Sequence, residues 1–150
     1  MVVPAEVLTR WEGADSEGAE SDHDRACAVV GFAGLLAVGP SHALVLGDEP
    51  ASTAFLPEYG VFVRGVAAES EAELLRGVEA ALEDGAWEDG PVWDVPGPVV
   101  LFDSAWPGSE VEPDNHVRVD LAAGRYEVRA VLAQPNSETA FRLVRLVRLV

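Results

Sequence analysis

Short apolar runs separated by glycine and proline turns constrain the fold of this chain more than any other feature. The runs cover residues 26–30, 35–38, 43–46, 53–56 and 61–66. Strands of this length, bounded by turn residues at such spacing, are typical of antiparallel sheets. Pro57 and Gly60 predict a hairpin between the last two runs, because proline presets the first turn angle and glycine tolerates a positive φ.

One segment departs from this pattern and has helical periodicity. Ser70 followed by Glu73 is the signature of a helix N-terminus, in which the serine accepts a hydrogen bond from a backbone N–H. Apolar residues then recur on one face at helical spacing. They are Leu74, Leu75, Val78, Ala81 and Leu82. We expect a helix over about residues 70–83, with this face packed on the sheet and Gly85 just beyond its end.

Further strands are predicted before and after this helix. Residues 2–8 suggest a strand interrupted by Pro4, which places it at a sheet edge. Residues 99–103, 117–121 and 126–132 are apolar or alternate between apolar and polar residues. The C-terminal Leu-Val-Arg repeat fits neither the strand period nor the helix period well. Arginines three apart could lie along one face of a helix, but we prefer a strand around Phe141 followed by a frayed tail. With 150 residues, the chain is expected to form a single α+β domain over residues 1–150, with a β-rich antiparallel sheet or sandwich.

Residues 12–24 are rich in Glu, Asp, Gly and Ser and are predicted to form a loop. The lone Cys27 follows this segment inside the apolar run 26–30. A single cysteine excludes an internal disulfide, and its apolar neighbours predict a buried, inert thiol.

The net charge of −16 limits the classes of partner. Such a field repels nucleic-acid phosphates and anionic membranes, so neither is expected as a partner. All ten basic residues are arginines, and six of them follow residue 117, which leaves the earlier part of the chain more acidic. Two interpretations of the acidity are open: it confers solubility, or it attracts a basic partner.

The sequence contains no motif for catalysis or cofactor binding. Glycine-rich nucleotide loops, paired-cysteine zinc motifs and the nucleophile elbow are all absent. The triplet Asp22-His23-Asp24 offers metal-ligand types, but a solvated acidic loop is the interpretation we prefer. We therefore expect no metal, no cofactor and no enzyme activity, since an enzyme would need a histidine, Cys27 and a carboxylate in one cleft. The first residues do not resemble a secretory signal, so a cytoplasmic location is expected.

Tryptophans offer a second kind of candidate site. Trp87, Trp93 and Trp106 lie in Gly/Pro-rich connections after the predicted helix. Such residues serve either as interface anchors or as covers over the core. An aromatic cleft built from all three would make the chain a small-ligand or regulatory binding module, which is our alternative function.

Several segments, in order along nearly the whole chain, resemble the immunity protein 21 family of bacterial polymorphic-toxin systems. The most specific of them is LGDEPAST at residues 46–53. The others include VVP (2–4), WEG (11–13), DHDRACAV (22–29), VFVR (61–64) and GRYEVRA (124–130). The resemblance implies a cytoplasmic, non-catalytic protein, common in actinobacteria, that binds and neutralises a cognate toxin encoded beside it.

The candidate contact residues follow from the charge and the aromatic residues together. We expect the acidic face to occlude a basic toxin surface, first through Asp48 and Glu49 on a turn after a strand. Asp22 and Asp24 are the next acidic candidates, and Trp87 and Trp106 are the aromatic ones. The competing interpretation of residues 47–50 is a structural turn in which Asp48 caps the backbone.

Overall fold

The computed structural model describes residues 1–15, 18–47 and 51–150. Asp48 and Glu49 therefore lie outside the described residues. The strands are β1 Val2–Pro4, β2 Ala33–Val38, β3 Ser41–Leu46, β4 Thr53–Leu56, β5 Val61–Ala67, β6 Glu88–Val95, β7 Val99–Phe102, β8 His116–Val119, β9 Gly124–Ala133 and β10 Ala140–Arg148. The α-helices are α1 Asp22–Cys27 and α2 Glu71–Asp84, and short 3-10 helices occupy Ala5–Arg10, Gly13–Asp15 and Gly108–Glu110.

This is the β-rich α+β fold that the sequence predicts, with two antiparallel sheets. The chain divides into two compact units. Unit 1 comprises Met1–Asp48, Pro91–Tyr126 and Arg148–Val150, and unit 2 comprises Glu49–Gly90 and Glu127–Val147. The expectation of a single domain stays a prediction.

Unit 1 contains a sheet with strand order β2-β3-β1-β7-β8. The prediction that the first strand lies at an edge is wrong, because β1 is the central strand: Val2 pairs with Leu44 on one side and with Leu101 on the other. Pro4 is tolerated there because it is the last residue of the strand. The chain then turns into the 3-10 helix Ala5–Arg10, so residues 5–8 are not extended as expected.

The core of unit 1 packs on one face of this sheet. Val3, Val45 and Val100 come from three neighbouring strands, and Val7 and Trp11 cover them from the segment that follows β1. All five side chains are almost completely buried. Removal of so much apolar surface from water is the main favourable contribution to the folding of this unit.

Helix α1 occupies residues that the sequence assigned to a loop and a strand. Ser21 caps it by accepting a hydrogen bond from Asp24 N, and the Asp24 carboxylate accepts one from Ser21 N in return. This reciprocal pair satisfies two N–H groups that a helix start otherwise leaves without partners. The predicted strand at residues 26–30 is therefore wrong, since its first residues complete the helix and Ala26 is the residue that packs into the core.

Unit 2 holds most of a second sheet, whose strand order is β4-β5-β10-β9-β6. The predicted hairpin is confirmed: β4 pairs antiparallel with β5, and Gly60 has the positive φ of 63° that the turn requires. Helix α2 confirms the predicted main helix. Its residues Val78 and Ala81 pack with Val61, Val63 and other strand residues in the core of unit 2.

Two strand predictions need correction. Strand β6, which includes Trp93, was expected to be a loop because of its glycine and proline. The C-terminal repeat is a strand as far as Arg148 rather than a frayed tail. Its pairing with β5, from Arg142 opposite Arg64 to Arg145 opposite Val61, explains the difference, because the strand buries Leu143 and Val144.

No helix among the described residues is long and apolar enough to cross a membrane.

The capping of α2 gives a first testable prediction. The Ser70 hydroxyl accepts a hydrogen bond from Glu73 N at 3.2 Å. Ser70→Ala is expected to lower the free energy of unfolding by about 1 kcal/mol, measured by chemical or thermal denaturation. Ser70→Asp is the control, since aspartate also caps a helix and should retain most of the stability. An unchanged unfolding midpoint in Ser70→Ala would show that the cap does not stabilise this helix.

Candidate functional site

A half-exposed tryptophan lies on a tight turn of unit 1 formed by residues 103–108, which we call the Trp106 turn. The Asp103 carboxylate accepts a hydrogen bond from Ala105 N at 2.9 Å, and its carbonyl accepts one from Trp106 N at 3.1 Å. These bonds fix the backbone on both sides of Ala105. The Trp106 residue is 49% exposed.

The N-terminal part of unit 1 holds the Trp106 turn in place. Trp11, which is buried, donates from its indole Nε1 to the Ser104 carbonyl at 2.9 Å. The Trp11 carbonyl accepts a hydrogen bond from Gly108 N at 2.8 Å, and Ala14 N donates to the Ala105 carbonyl at 3.0 Å. Three hydrogen bonds therefore join the N-terminal segment to the Trp106 turn. Two of them are made by the core residue Trp11, one through its indole and one through its carbonyl.

Gly13 makes this close approach possible. Its φ is +66°, and a Cβ on it would lie 2.5 Å from the Ala105 oxygen and 2.6 Å from the Trp106 carbonyl carbon. No side chain fits at such distances, and residues other than glycine are strained at this φ. Glycine at this position therefore lets residues 11–14 lie directly against the Trp106 turn.

The sequence-predicted residues Asp22 and Asp24 belong to the same part of unit 1. The Asp22 carboxylate accepts a hydrogen bond from Glu12 N at 2.9 Å and pairs with Arg25 Nη1 at 2.9 Å. Asp24 is exposed, and its carboxylate accepts a hydrogen bond from Ser21 N at 3.0 Å. Both acidic side chains thus hold α1 and its surroundings together, whatever else they bind.

Hydrogen bonding alters the ionisation of Asp24. The backbone N–H of Ser21, and secondly its hydroxyl, favour the charged carboxylate and lower the pKa of Asp24 below its ordinary value. The carboxylate therefore stays charged at any physiological pH.

His23 and Cys27 lie beside the two carboxylates on α1. His23 Nδ1 is 2.9 Å from Ser104 Oγ, which links the helix to the Trp106 turn. The Cys27 Sγ is 3.5 Å from His23 Nε2. The thiol is exposed, so the expectation that Cys27 is buried is wrong. The helical path of residues 22–27 explains this, because it directs Ala26 rather than Cys27 into the core.

The three tryptophans that the sequence grouped together have different environments. Trp93 is fully buried in unit 1, where its Nε1 donates to the His42 carbonyl at 2.8 Å. It therefore presents no surface to a ligand, which removes one wall of the aromatic cleft considered above. Trp87 belongs to unit 2, where its Nε1 donates to the Ala81 carbonyl at 3.1 Å. The Arg145 guanidinium lies 4.2 Å from the centre of the Trp87 ring.

Sequence reasoning missed Gly13, which lies against the Trp106 turn, and the carboxylates on these two segments. Glu12 and Asp15 are exposed residues close to Gly13, and Asp103 is an exposed residue at the start of the Trp106 turn. None of the three carboxylates belongs to a motif for ligand binding. The signals were the glycine in EGAD at residues 12–15 and the turn sequence DSAWPG at residues 103–108.

A protein-family model matches most of this chain. The model of the family described as Immunity protein 21 matches residues 1–139 of this chain. The comparisons with curated proteins and with solved structures give no match.

The Asp24–Ser21 pair gives a prediction about pH. Because the pKa of Asp24 is lowered by folding, its contribution to stability is present above the unfolded value of about 3.8 and is lost as the pH falls through the folded value. Asp24→Asn should therefore unfold at a lower temperature than the wild type near pH 7, and the difference should shrink below about pH 4. Thermal unfolding followed by circular dichroism measures this.

Ser21→Ala serves as the matched variant, because it removes the hydroxyl of the same pair. Its effect and that of Asp24→Asn should be less than additive in the double variant. Strict additivity of the two effects would contradict coupling between the two side chains.

Proposed function

The chain belongs to the immunity protein 21 family, and on that premise we propose that it neutralises its cognate toxin by covering a basic toxin surface with its acidic residues. Neutralisation is stoichiometric and takes place in the cytoplasm of the cell that makes the toxin. The observation that supports this mechanism is the concentration of negative charge in one segment of the sequence. Residues 11–24 contain six acidic residues and no basic one.

Several arginines of the chain form ion pairs with carboxylates of the same chain. Arg25 pairs with Asp22, Arg118 with Asp120, and Arg125 with Asp94. Arg129 pairs with Asp89 and Glu127. Such internal pairs remove positive charge from the external field. With 26 acidic residues against ten arginines, most carboxylates have no arginine to pair with.

A field of this sign acts mainly on the encounter with a partner. Opposite potentials on two proteins raise the association rate and disfavour wrong partners, whereas their effect on final affinity is smaller. An immunity protein benefits from a high association rate, because it must bind each toxin molecule before the toxin reaches its target.

The acidic candidates differ in how directly they serve such contact. Asp22 is largely occupied, since its side chain is 18% exposed and binds Glu12 N and Arg25. Asp24 is exposed and keeps its charge, so it contributes to the field while it caps α1. Asp48 and Glu49 remain the first candidates for direct contact on the sequence argument alone.

Ionic strength and charge reversal test the proposal together. The association rate with the toxin domain encoded beside this gene should fall steeply as salt rises, because exposed charges are screened over about 8 Å at physiological ionic strength. Asp48→Lys with Glu49→Lys should slow association at low salt, and should also speed dissociation if the pair lies in the contact. Stopped-flow or surface-based kinetics measure both rates.

The matched control is Asp94→Lys with Asp120→Lys. It changes the net charge by the same amount, but at exposed carboxylates that already pair with Arg125 and Arg118. We expect it to slow association less than the Asp48/Glu49 reversal does. An association rate independent of salt, together with wild-type affinity in the Asp48/Glu49 variant, would rule out the acidic-face mechanism.

A further inference from the structure

We infer that Trp106 is the anchor of the toxin interface and that its indole ring receives a lysine or arginine side chain of the toxin. This inference rests on the proposed function and names the contact within it. Four observations support it: the exposure of Trp106, the fixed backbone beneath it, the absence of a cation over its ring among the residues that the structure describes, and the carboxylates on the adjoining segments.

The exposure of Trp106 distinguishes it from the other tryptophans. Trp11 and Trp93 are buried, and Trp87 is half-buried against the core of unit 2, whereas Trp106 is 49% exposed. A large aromatic surface in water is unfavourable for the isolated protein. Tryptophan is also the residue type most enriched among those that contribute most to protein–protein affinity.

The backbone beneath Trp106 is already fixed before any partner binds. Hydrogen bonds from Trp11 and Ala14, together with those to Asp103, hold the Trp106 turn. Gly13 provides close backbone packing against it. Binding through a fixed turn costs little conformational entropy, so more of the contact energy appears as affinity.

The chain itself demonstrates the chemistry proposed for this ring. In unit 2, Arg145 lies over the Trp87 ring at 4.2 Å, a distance at which a cation is attracted to the aromatic face. Within residues 1–15, 18–47 and 51–150, that pair is the one cation–ring contact recorded, and Trp106 has none. The chain contains no lysine, and its arginines are the only permanent side-chain cations it has to offer.

Carboxylates on the neighbouring segments favour a cation at this ring. Glu12 and Asp15 flank Gly13, which lies against the Trp106 backbone, and Asp103 begins the turn. All three residues are exposed. An exposed aromatic residue with carboxylates on the adjoining segments attracts a lysine or arginine by two mechanisms, through its ring and through charge-assisted hydrogen bonds. The negative charge of the chain favours a partner with a basic surface, and such a surface supplies a lysine or arginine side chain.

Three substitutions separate the cationic contact from simple apolar burial. Trp106→Phe keeps an aromatic face, Trp106→Leu keeps apolar bulk without one, and Trp106→Ala keeps neither. We expect the dissociation constant to rise by less than about fivefold for phenylalanine, about tenfold for leucine, and about 30-fold or more for alanine, mostly through faster dissociation. The probe is the purified toxin domain encoded beside this gene, studied by biolayer interferometry.

The matched control is Val117→Ala, which trims another exposed apolar residue of unit 1, 43% exposed. It should change the dissociation constant by less than about twofold. Circular dichroism and thermal unfolding should show all four variants folded, because both positions are exposed. The four variants therefore report on binding and not on folding.

Two results would overturn the inference while leaving the proposed function intact. If Trp106→Ala binds as tightly as the wild type, the interface lies elsewhere. If Trp106→Leu binds as tightly as Trp106→Phe, the ring is an apolar contact and receives no cation. Failure of the wild-type chain to protect cells that express the toxin domain is a separate result, and it would contradict the proposed function itself.

Discussion

The central position of β1 determines the arrangement of unit 1. Val2 and Val3 are completely buried, and the strand pairs with β3 on one side and with β7 on the other. The chain leaves this strand at Pro4 and continues as a 3-10 helix, after which Trp11 packs in the core. Trp11 then holds Ser104 and Gly108 through its side chain and its carbonyl. The exposed Trp106 thus depends, by a short series of direct contacts, on the most buried strand of the unit.

The sequence predicts elements well where one local signal agrees with the packing that the element makes. The hairpin at Gly60 and the helix after Ser70 each have a turn or cap residue together with the right apolar spacing, and both are confirmed. Strand β6 was missed because Gly90 and Pro91 indicate a loop. Its place at the end of the sheet order explains the exception, because an edge strand tolerates a proline that cannot donate to a neighbour.

The candidate site is less predictable, since it depends on contacts between segments distant in sequence. Trp106 and Trp93 both lie close to glycine and proline in the sequence, yet Trp106 is half-exposed, whereas Trp93 is buried and donates a hydrogen bond to the His42 carbonyl. Trp93 lies in strand β6, whereas Trp106 lies on a turn that packs against Gly13, a residue distant in sequence. Composition and periodicity contain no information about contacts between segments that are distant in sequence.

The acidic residues near this site fall into two groups: some carboxylates bind groups of the protein itself, and others are exposed to water. Asp22 and Asp24 use their carboxylates on backbone N–H groups, and Asp22 also pairs with Arg25. Their replacement therefore changes the stability of α1 as well as any partner contact. Glu12 and Asp15 lie beside the same surface and are exposed, and no ion pair is recorded for either among the described residues. Under the mechanism proposed above, Glu12 and Asp15 should contribute more to toxin binding than Asp22, because the Asp22 carboxylate is already occupied by Glu12 N and Arg25. Asp22 and Asp24 thus mainly stabilise the structure around α1, and under the proposed mechanism Glu12 and Asp15 are more available to a basic partner.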